Sequence, residues 1–426
     1  MAQLEDLMKD INKKFKKELA IKGIGQLKIK RIPFSSPRLN YETYGGIPRG
    51  RVTMFAGKES SGKSTTALDI VKNAQILFEE EWAKELIELR ETVQNTKLNK
   101  TELTNAKERL SFIEKRGPLK VVYFDAEGTI DSDWAKKLGV DVDNVYLVRL
   151  HTQTAEQFLD QVMRVVRDTD DVGLVIIDSI AVLVPQIVHG ESFEQKNMGG
   201  NAKVVTDFCN EVCPILGEKD IACIVINQAR DDFKNPYAEF SIPCGNGLKL
   251  ASSLTLTFQK GRLLDEDGQE QKSSYECPQG NVVWVRIQKT KVCKPDRRVQ
   301  FYTLSYDYGI DVVADLIPLA IEFDIIKKAG SWYSILNPHT GETLQDENGN
   351  LIKFQGTVNL KSYLRENTEL YNEIYLYINQ QVLSDVPQTD IAIDSETDRL
   401  AILQANIEEG VEDMILRPQS SEVIDE

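Results

Sequence analysis

Short apolar runs alternate along the chain with longer segments of helical periodicity. Apolar runs rich in Val and Ile predict strands that are buried on both faces of a parallel sheet. The segments between the runs predict helices that cover both faces, so we expect an α/β fold with a mostly parallel sheet. The runs lie at residues 51–56, 119–124, 145–150, 172–177 and 221–226.

The N-terminal residues 2–20 show the apolar stripe of an amphipathic helix. We expect this helix to pack on the core of its own subunit, and the alternative is that it docks on a neighbouring subunit. Residues 37–48, bounded by prolines, predict a loop that leads into the first strand. The stripe consists of Leu4, Leu7, Met8, Ile11, Phe15 and Leu19.

A helical hairpin is predicted at about residues 77–117, between the first helix of the sheet domain and its second strand. The helix that begins near Ser64 continues to Val93, and a second helix is capped by Asn99 with Glu102 three residues later. We expect the two apolar seams to pack on each other, and a partner-docking arm is the alternative. The seams are Trp82, Leu86, Leu89 and Val93, and Leu103, Ala106, Leu110 and Ile113.

Charge is distributed unevenly along the chain. The 426 residues carry a formal net charge of −15, which taken alone argues against nucleic acid as a partner. Residues 384–426 hold twelve Asp or Glu and two Arg, so the rest of the chain is only mildly acidic and can carry basic patches. We expect this acidic tail to be disordered.

The six cysteines are scattered, which predicts reduced thiols rather than a zinc ribbon. The sequence also shows neither a signal peptide nor an apolar run long enough to span a membrane. These features indicate a cytoplasmic protein without a membrane partner.

The segment from Gly57 to Ser64 fits the pattern G-x-x-x-x-G-K-[ST] between a strand and a helix. Its glycines let successive backbone N–H groups point at phosphate oxygens, and the helix N-terminus adds positive charge there. Lys63 can reach the β- and γ-phosphates, and the Ser64 hydroxyl can bind Mg²⁺. We therefore expect ATP to contact Gly57, Glu59, Ser60, Ser61, Gly62, Lys63, Ser64 and Thr65.

Polar residues follow three of the apolar runs, namely Glu127, Asp178 and Gln228. Ligands of parallel sheets bind at the carboxyl ends of the strands, where these side chains are expected to meet. An Asp after a strand is often only a helix N-cap. The order of phosphate loop and then apolar strand favours a role for Asp178 in binding Mg²⁺.

An ordered set of short motifs resembles the bacterial and phage RecA-type recombinases. The resemblance covers roughly residues 1–383 and implies a phosphate-loop ATPase core of the RecA type with a small α+β C-terminal domain. The motifs are Gly-Lys-Glu-Ser-Ser-Gly-Lys-Ser at 57–64, Asp-Ala-Glu at 125–127, Leu-Val-Ile-Ile-Asp-Ser at 174–179, Asn-Gln-Ala-Arg at 227–230, Gly-Asn-Gly-Leu-Lys at 245–249 and Lys-Thr-Lys at 289–291.

The resemblance also implies catalytic roles for single residues. Glu127 would be the general base for the attacking water, and Gln228 would sense the γ-phosphate. Lys289 and Lys291 would reach the nucleotide of a neighbouring subunit. Trp134 would stack on adenine, although a core tryptophan is an equally good interpretation of this position.

Two DNA-binding loops are implied by the same resemblance, at about 186–200 and 229–244. Both loops also carry acidic residues, so their composition alone would not indicate DNA. Backbone amides and cations suit phosphates, and apolar side chains suit bases. The candidate contacts are Lys196, Asn197, Met198, Gly199, Arg230, Phe233, Lys234, Gly245 and Asn246.

The function implied is an ATP- and Mg²⁺-dependent recombinase that forms a helical filament on single-stranded DNA and pairs it with duplex DNA. A ring-forming helicase with the same core and a non-catalytic scaffold that uses ATP as a conformational ligand are the alternatives. The expected organisation is an N-terminal helix and linker for subunit docking (1–48), the ATPase and DNA-binding core (49–308), a C-terminal domain (309–383) and the acidic tail (384–426).

Deleting residues 384–426 is expected to strengthen binding of duplex DNA, most strongly at low salt. The tail would compete with DNA for basic surface, and salt would screen that competition. Fluorescence anisotropy of labelled duplex with the full-length and shortened chains, at low and high salt, measures the effect. Equal affinities at every salt concentration would leave the tail a solubilising role only.

Overall fold

The computed structural model describes residues 4–15, 29–95, 99–188, 200–229, 245–345 and 349–384. Its α-helices are α1 (Leu4–Phe15), α2 (Pro37–Thr43), α3 (Lys63–Gln94), α4 (Lys100–Arg116), α5 (Ser132–Lys137), α6 (Ala155–Asp168), α7 (Gly200–Lys219), α8 (Gly245–Ala251), α9 (Val312–Glu322), α10 (Gly356–Glu366) and α11 (Thr368–Ser384).

The strands of the same residues are β1 (Arg31–Ile32), β2 (Ile47–Pro48), β3 (Val52–Gly57), β4 (Lys120–Asp125), β5 (Val145–Arg149), β6 (Val172–Asp178), β7 (Ala222–Gln228), β8 (Leu254–Leu264), β9 (Glu270–Gln271), β10 (Gly280–Thr290), β11 (Val299–Ser305), β12 (Gly309–Ile310), β13 (Ile326–Ala329), β14 (Trp332–Ile335) and β15 (Lys353–Gln355).

A large central sheet confirms the predicted fold class. Its strands follow the order β12-β11-β10-β8-β3-β7-β6-β4-β5, with β9 beside β8. From β8 to β5 all neighbours are parallel, whereas β9 to β12 add an antiparallel extension at the other edge. The carboxyl ends of β3, β4, β6 and β7 therefore lie together at one edge.

Alternating side chains of the parallel strands build one core on each face of the sheet. On β6, Leu174 and Ile176 belong to the core under α3, whereas Val175 and Ile177 belong to the core under α6 and α7. All four side chains are fully buried. Burial of an aliphatic side chain of this size stabilises a fold by about 1.5–3 kcal/mol, so this strand anchors both layers.

The predicted helical hairpin is confirmed. α3 continues without a break for 32 residues, and α4 begins with the capping box of Asn99 and Glu102. Between the helices, the Trp82 indole N–H donates to the Ile113 carbonyl at 3.0 Å, and the Arg109 guanidinium lies 2.6 Å from a Glu85 carboxylate oxygen. Leu86 of the first seam and Ile113 of the second are buried, and these polar contacts join the two helices.

Residues 37–48 do not form the loop that the prolines predict. They contain α2 and β2, and the Ser36 side chain caps α2 with Pro37 in its first turn. A Ser-Pro pair is a helix start signal, because the serine accepts a backbone N–H bond and proline has no N–H to leave unpaired. The prediction of a loop at residues 37–48 is therefore wrong, because Pro37 marks the start of a helix.

The interpretation of the N-terminal helix as part of its own core is also wrong. α1 covers Leu4–Phe15 of the predicted helix, and residues 16–28 lie outside the described part of the chain. At its start the apolar stripe faces solvent, since Leu4 is 72% exposed and Leu7 53%, and Met8 and Ile11 are only partly buried. Of the two interpretations, docking on a neighbouring subunit is the one that is left as a prediction.

A smaller α+β unit follows the sheet, as predicted. The antiparallel strands β13, β14 and β15 pack with α9, α10 and α11 around a third apolar cluster that includes Leu316, Ile335 and Ile374. The acidic tail from residue 385 onward lies outside the described residues. Within the described residues, no helix combines the length and apolar character that a membrane span requires.

Buried carboxyl groups join this unit to α2 and the sheet. Asp315 of α9 accepts hydrogen bonds from the Ser36 hydroxyl and from the Thr303 backbone N–H. Burial raises the pKa of Asp315 to about 7 and that of Glu42 to about 8, and the Arg38 guanidinium offsets these shifts only in part. Each carboxyl therefore tends to hold a proton that it would release on unfolding.

The free energy of unfolding is expected to fall as the pH rises from about 5 to 8. Both pKa values are raised above the unfolded value of about 4, so the stabilisation is complete below that value and is lost as the pH passes the folded pKa. Glu42→Gln should reduce the loss between pH 6 and pH 8.5 by an amount on the order of 2 kcal/mol.

Denaturant unfolding at several pH values measures this dependence. Glu366→Gln, at an exposed position of α10, serves as the control and should follow the wild-type profile. Identical pH profiles for the Glu42 variant and the wild type would contradict the raised pKa of Glu42.

Candidate nucleotide-binding and catalytic site

The loop between β3 and α3 has the geometry of a phosphate cradle. Ser60 and Gly62 have positive φ angles of 56° and 93°, which turn successive backbone N–H groups toward the inside of the loop. Gly57 has no room for a side chain, because a Cβ atom there would lie 2.5 Å from the Phe258 carbonyl oxygen. Backbone groups at these positions can therefore approach a ligand closely.

Lys63 opens α3 inside this loop and is 6% exposed. Its ammonium donates to the Lys58 carbonyl at 2.7 Å and to the Ser61 hydroxyl at 3.4 Å. Burial lowers the pKa of Lys63, whereas the nearby carboxylates of Asp178 and Glu127 favour its charged form. The loop thus holds a cation whose present partners are weak acceptors that phosphate oxygens can replace.

Asp178 ends β6 next to the first turn of α3. Its carboxylate accepts a hydrogen bond from the Tyr123 hydroxyl at 2.7 Å and another from Ser64. Burial raises the pKa of Asp178, and these two hydrogen bonds oppose the rise. Ser179, not Asp178, is the N-cap of the short 3₁₀ helix that follows, so the N-cap interpretation of Asp178 is wrong.

Glu127 lies just beyond β4 and is held by two donors. The Ser179 hydroxyl and the Gln228 side-chain amide both donate to its Oε1 atom, at 2.5 Å and 2.7 Å. The structure thus brings together the residues that end three neighbouring strands. The turn that carries Glu127 is fixed by Asp125, whose carboxylate accepts from the backbone N–H groups of residues 128, 129 and 130.

Three of these residues were missed at the sequence level, namely Tyr123, Asp125 and Ser179. Asp125 had a usable signal, because an Asp before Ala-Glu-Gly is placed to accept backbone N–H bonds of the turn that follows. Tyr123 and Ser179 had no local signal, since their partners lie 55 and 52 residues away in the chain.

A Mg²⁺ ion fits this site only together with a nucleotide. No cluster of three or more His, Cys, Asp or Glu side chains suitable for a metal occurs within the described residues. Ser64 and Asp178 supply two oxygen groups, and Mg²⁺ is commonly held by one or two protein groups together with phosphates and water. The residues present therefore fit a metal ion that arrives with the triphosphate.

Trp134 lies on α5 and is partly buried against the core under α3. This packing supports the interpretation as a core tryptophan, and the adenine contact stays a prediction. Of the residues implied for DNA binding, Gly245 and Asn246 form the first turn of α8. Lys196, Asn197, Met198, Gly199, Arg230, Phe233 and Lys234 lie outside the described residues.

Lys289 and Lys291 lie at the far end of β10, away from the phosphate loop of the same subunit. The Lys291 ammonium donates to the Leu250 carbonyl at 2.8 Å, and that of Lys289 donates to the Lys249 and Leu250 carbonyls. Burial lowers the pKa of Lys289, and the neighbouring Lys291 lowers it further. The pair therefore caps the C-terminus of α8, whose N-terminus adjoins the second implied DNA loop.

Comparison with known proteins gives a family for this arrangement of strand, loop and helix. The family model of the RecA N-terminal domain matches residues 2–80 and 98–311, and that of the RecA C-terminal domain matches residues 314–383. Among curated proteins, the RecA protein of Thermus aquaticus is 31% identical over 377 residues, which cover 87% of this chain and 92% of the relative.

Two further relatives match this chain over a similar length. The RecA protein of Aquifex aeolicus is 29% identical over 378 residues, with 87% of this chain and 90% of the relative covered. That of Chlorobium chlorochromatii is 30% identical over 360 residues, with 84% of each covered. The chain therefore belongs to the RecA family and is a RecA-type recombinase.

The family match is interrupted within the helical hairpin. Residues 81–97 lie between the two matched segments of the N-terminal domain. Of these, residues 81–94 form the distal part of α3. The part of the hairpin outside the family pattern is thus shorter than the predicted insertion of about 77–117.

Glu127→Gln is expected to preserve ATP binding and to reduce ATP turnover by about 10²–10⁴-fold. The amide keeps the shape and can still hydrogen-bond to Gln228 and Ser179, but it cannot accept a proton from water. Steady-state phosphate release and equilibrium binding of a fluorescent ATP analogue separate the two effects. Turnover close to that of the wild type would remove Glu127 from its role as base.

Proposed function

We propose that this recombinase polymerises on single-stranded DNA as an ATP- and Mg²⁺-dependent helical filament and pairs that strand with homologous duplex DNA. The observation that supports this most directly is the 2.7 Å hydrogen bond between Gln228 and Glu127. It joins the proposed catalytic base to the last residue of β7, which directly precedes the second implied DNA loop. Movement of that loop can therefore reach the base through one side chain.

Each residue of the site has a defined task in ATP hydrolysis. The loop amides and Lys63 hold the β- and γ-phosphates, and Ser64 and Asp178 hold Mg²⁺, which stabilises charge on the phosphates. Glu127 orients the attacking water and accepts its proton. Gln228 leaves Glu127 when it binds the γ-phosphate, which frees the carboxylate for that proton.

The lysine pair acts on a neighbouring subunit. β10 runs antiparallel to β8, and Thr290 pairs with Leu254, the residue that also pairs with Thr53 near the start of β3. The phosphate loop begins at the other end of β3, about 13 Å further along at the usual rise per residue. Lys289 and Lys291 are therefore directed away from the phosphates of their own subunit.

An interface that shares ATP links assembly to turnover. When the lysines bind the γ-phosphate of a neighbour, the nucleotide becomes part of the contact between subunits and stabilises the filament by mass action. The positive charges also compensate the charge that develops during phosphoryl transfer, as an arginine finger does. When Lys289 and Lys291 turn to the neighbour's γ-phosphate, they also release the carbonyl groups at the C-terminus of α8.

Mixing two inactive variants tests the shared site. Lys289→Ala or Lys291→Ala subunits should bind ATP but lose hydrolysis stimulated by single-stranded DNA, and Lys63→Ala subunits should lose hydrolysis through their own phosphate loop. In a mixture, some interfaces combine an intact lysine pair with an intact phosphate loop. Partial recovery of DNA-stimulated hydrolysis is therefore expected.

The control for this mixture is each variant diluted with an equal amount of buffer or of itself. Activity of the mixture equal to the average of its two components would contradict a shared site. Electron microscopy of the wild type with single-stranded DNA and ATP should show helical filaments, and closed rings would support the helicase alternative.

A further inference from the structure

A buried hydroxyl group lies behind the proposed magnesium site and is not used in the mechanism above. Tyr123 is 2% exposed, and its hydroxyl donates to the Oδ2 atom of Asp178 at 2.7 Å. The tyrosine lies on β4, directly beside β6, where Asp178 ends the strand. One of the two oxygens of this carboxylate is therefore bound to the protein interior.

The position of the Tyr123 hydroxyl is fixed by its surroundings. The ring belongs to the same core cluster as Ile176 of β6 and Ile70 of α3, both of which are fully buried. Close packing of this kind leaves an aromatic side chain one rotamer. The hydroxyl can therefore act as a fixed donor rather than one that adjusts to the carboxylate.

The two hydrogen bonds of Asp178 connect its carboxyl group to two different elements. Tyr123 donates from β4, and Ser64 donates from the first turn of α3. Ser64 is the residue that binds Mg²⁺ in the proposed function. A carboxylate turned away from Tyr123 would lose its orientation toward Ser64 and would leave one buried oxygen without its donor.

We propose that Tyr123 is a positioning residue for Mg²⁺, which holds the Asp178 carboxylate in the orientation that receives the metal ion and its water. The inference rests on the role of Asp178 in the proposed function. Groups that hydrogen-bond to metal-binding carboxylates typically change metal affinity or activity by about 10–100-fold when removed. Because the hydrogen bond from Ser64 to Asp178 remains when Tyr123 is changed, we expect the lower end of this range.

Tyr123→Phe removes one oxygen atom and keeps the ring. The matched control is Tyr302→Phe, because Tyr302 is also fully buried in this core and its hydroxyl lies 2.7 Å from that of Thr66 on α3. Both variants lose one buried hydroxyl close to the nucleotide site, and only the first loses a contact with Asp178. Equal losses of thermal stability would show that the two changes are structurally comparable.

The measurement is binding of a fluorescent, non-hydrolysable ATP analogue to the full-length chain without DNA, first with EDTA and then during a Mg²⁺ titration. Tyr123→Phe should leave the affinity in EDTA unchanged and raise the Mg²⁺ concentration at half-maximal effect about tenfold. Tyr302→Phe should leave that concentration at the wild-type value. A midpoint of the Tyr123 variant equal to that of the control would overturn the proposal.

Asp178→Asn separates this inference from the function on which it rests. A raised Mg²⁺ midpoint in Asp178→Asn, with no change in Tyr123→Phe, would reject the role of Tyr123 alone. An unchanged midpoint in both would reject the metal role of Asp178 as well. Adding Tyr123→Phe to Asp178→Asn should produce no further shift, and an additional shift would mean that Tyr123 acts elsewhere.

If Tyr123→Phe alone does not fold, the double variant with Tyr123→Phe and Asp178→Asn tests the proposal instead. A neutral amide tolerates the loss of its donor better than a buried carboxylate does. Recovery of the folded state in the double variant would support the dependence of Asp178 on Tyr123. Failure of the double variant to fold would show that the hydroxyl serves the core rather than the carboxylate, and would overturn the proposal.

Discussion

The balance of buried charge at the carboxyl edge of the sheet is the constraint on which the rest of this structure depends. Lys63, Asp178 and Glu127 lie close together, and the two carboxylates favour the charged form of Lys63, which its burial opposes. Removing one of such a group leaves the others without compensation, which costs more than the contact itself contributes. The strands and α3 must therefore hold these residues in register.

The hydrogen bonds around the charges explain how that register is kept. Asp125 fixes the turn after β4, Tyr123 fixes Asp178, and Gln228 with Ser179 fixes Glu127. These groups come from β4 and the turn after it, from the residue that follows β6 and from the end of β7. The site is thus stiff where it meets the sheet, and it adjoins the residues that lead into the implied DNA loops.

Much of the fold was predictable because it depends on local spacing. The order of apolar runs predicted the parallel part of the sheet. The glycine and lysine pattern predicted the phosphate loop, and Asn99 with Glu102 predicted the start of α4. Each of these signals lies within a few residues of the feature that it predicts. The same is true of Asp178 and Gln228, which directly end apolar strands.

The features that were not predicted depend on partners distant in the sequence. The exposed stripe of α1 has the same periodicity as a buried one, so only the structure distinguishes them. The hydroxyl of Tyr123 and the carbonyl partners of Lys289 and Lys291 are likewise set by strand register rather than by neighbours along the chain. Ser36 with Pro37, and Asp125, are the exceptions, since their signals were local and were overlooked.

The unbroken course of α3 has a mechanical consequence. The helix begins at the phosphate loop and extends 32 residues, which corresponds to a rod of about 48 Å. Its first turns are fixed in the core, whereas its far end, from residue 81 onward, lies outside the segments that match the RecA N-terminal domain. A tilt of about 5° at the loop end would displace the other end by about 4 Å for a rod of this length. A small tilt of α3 at the nucleotide end would therefore become a displacement of several ångströms at the tip of the hairpin.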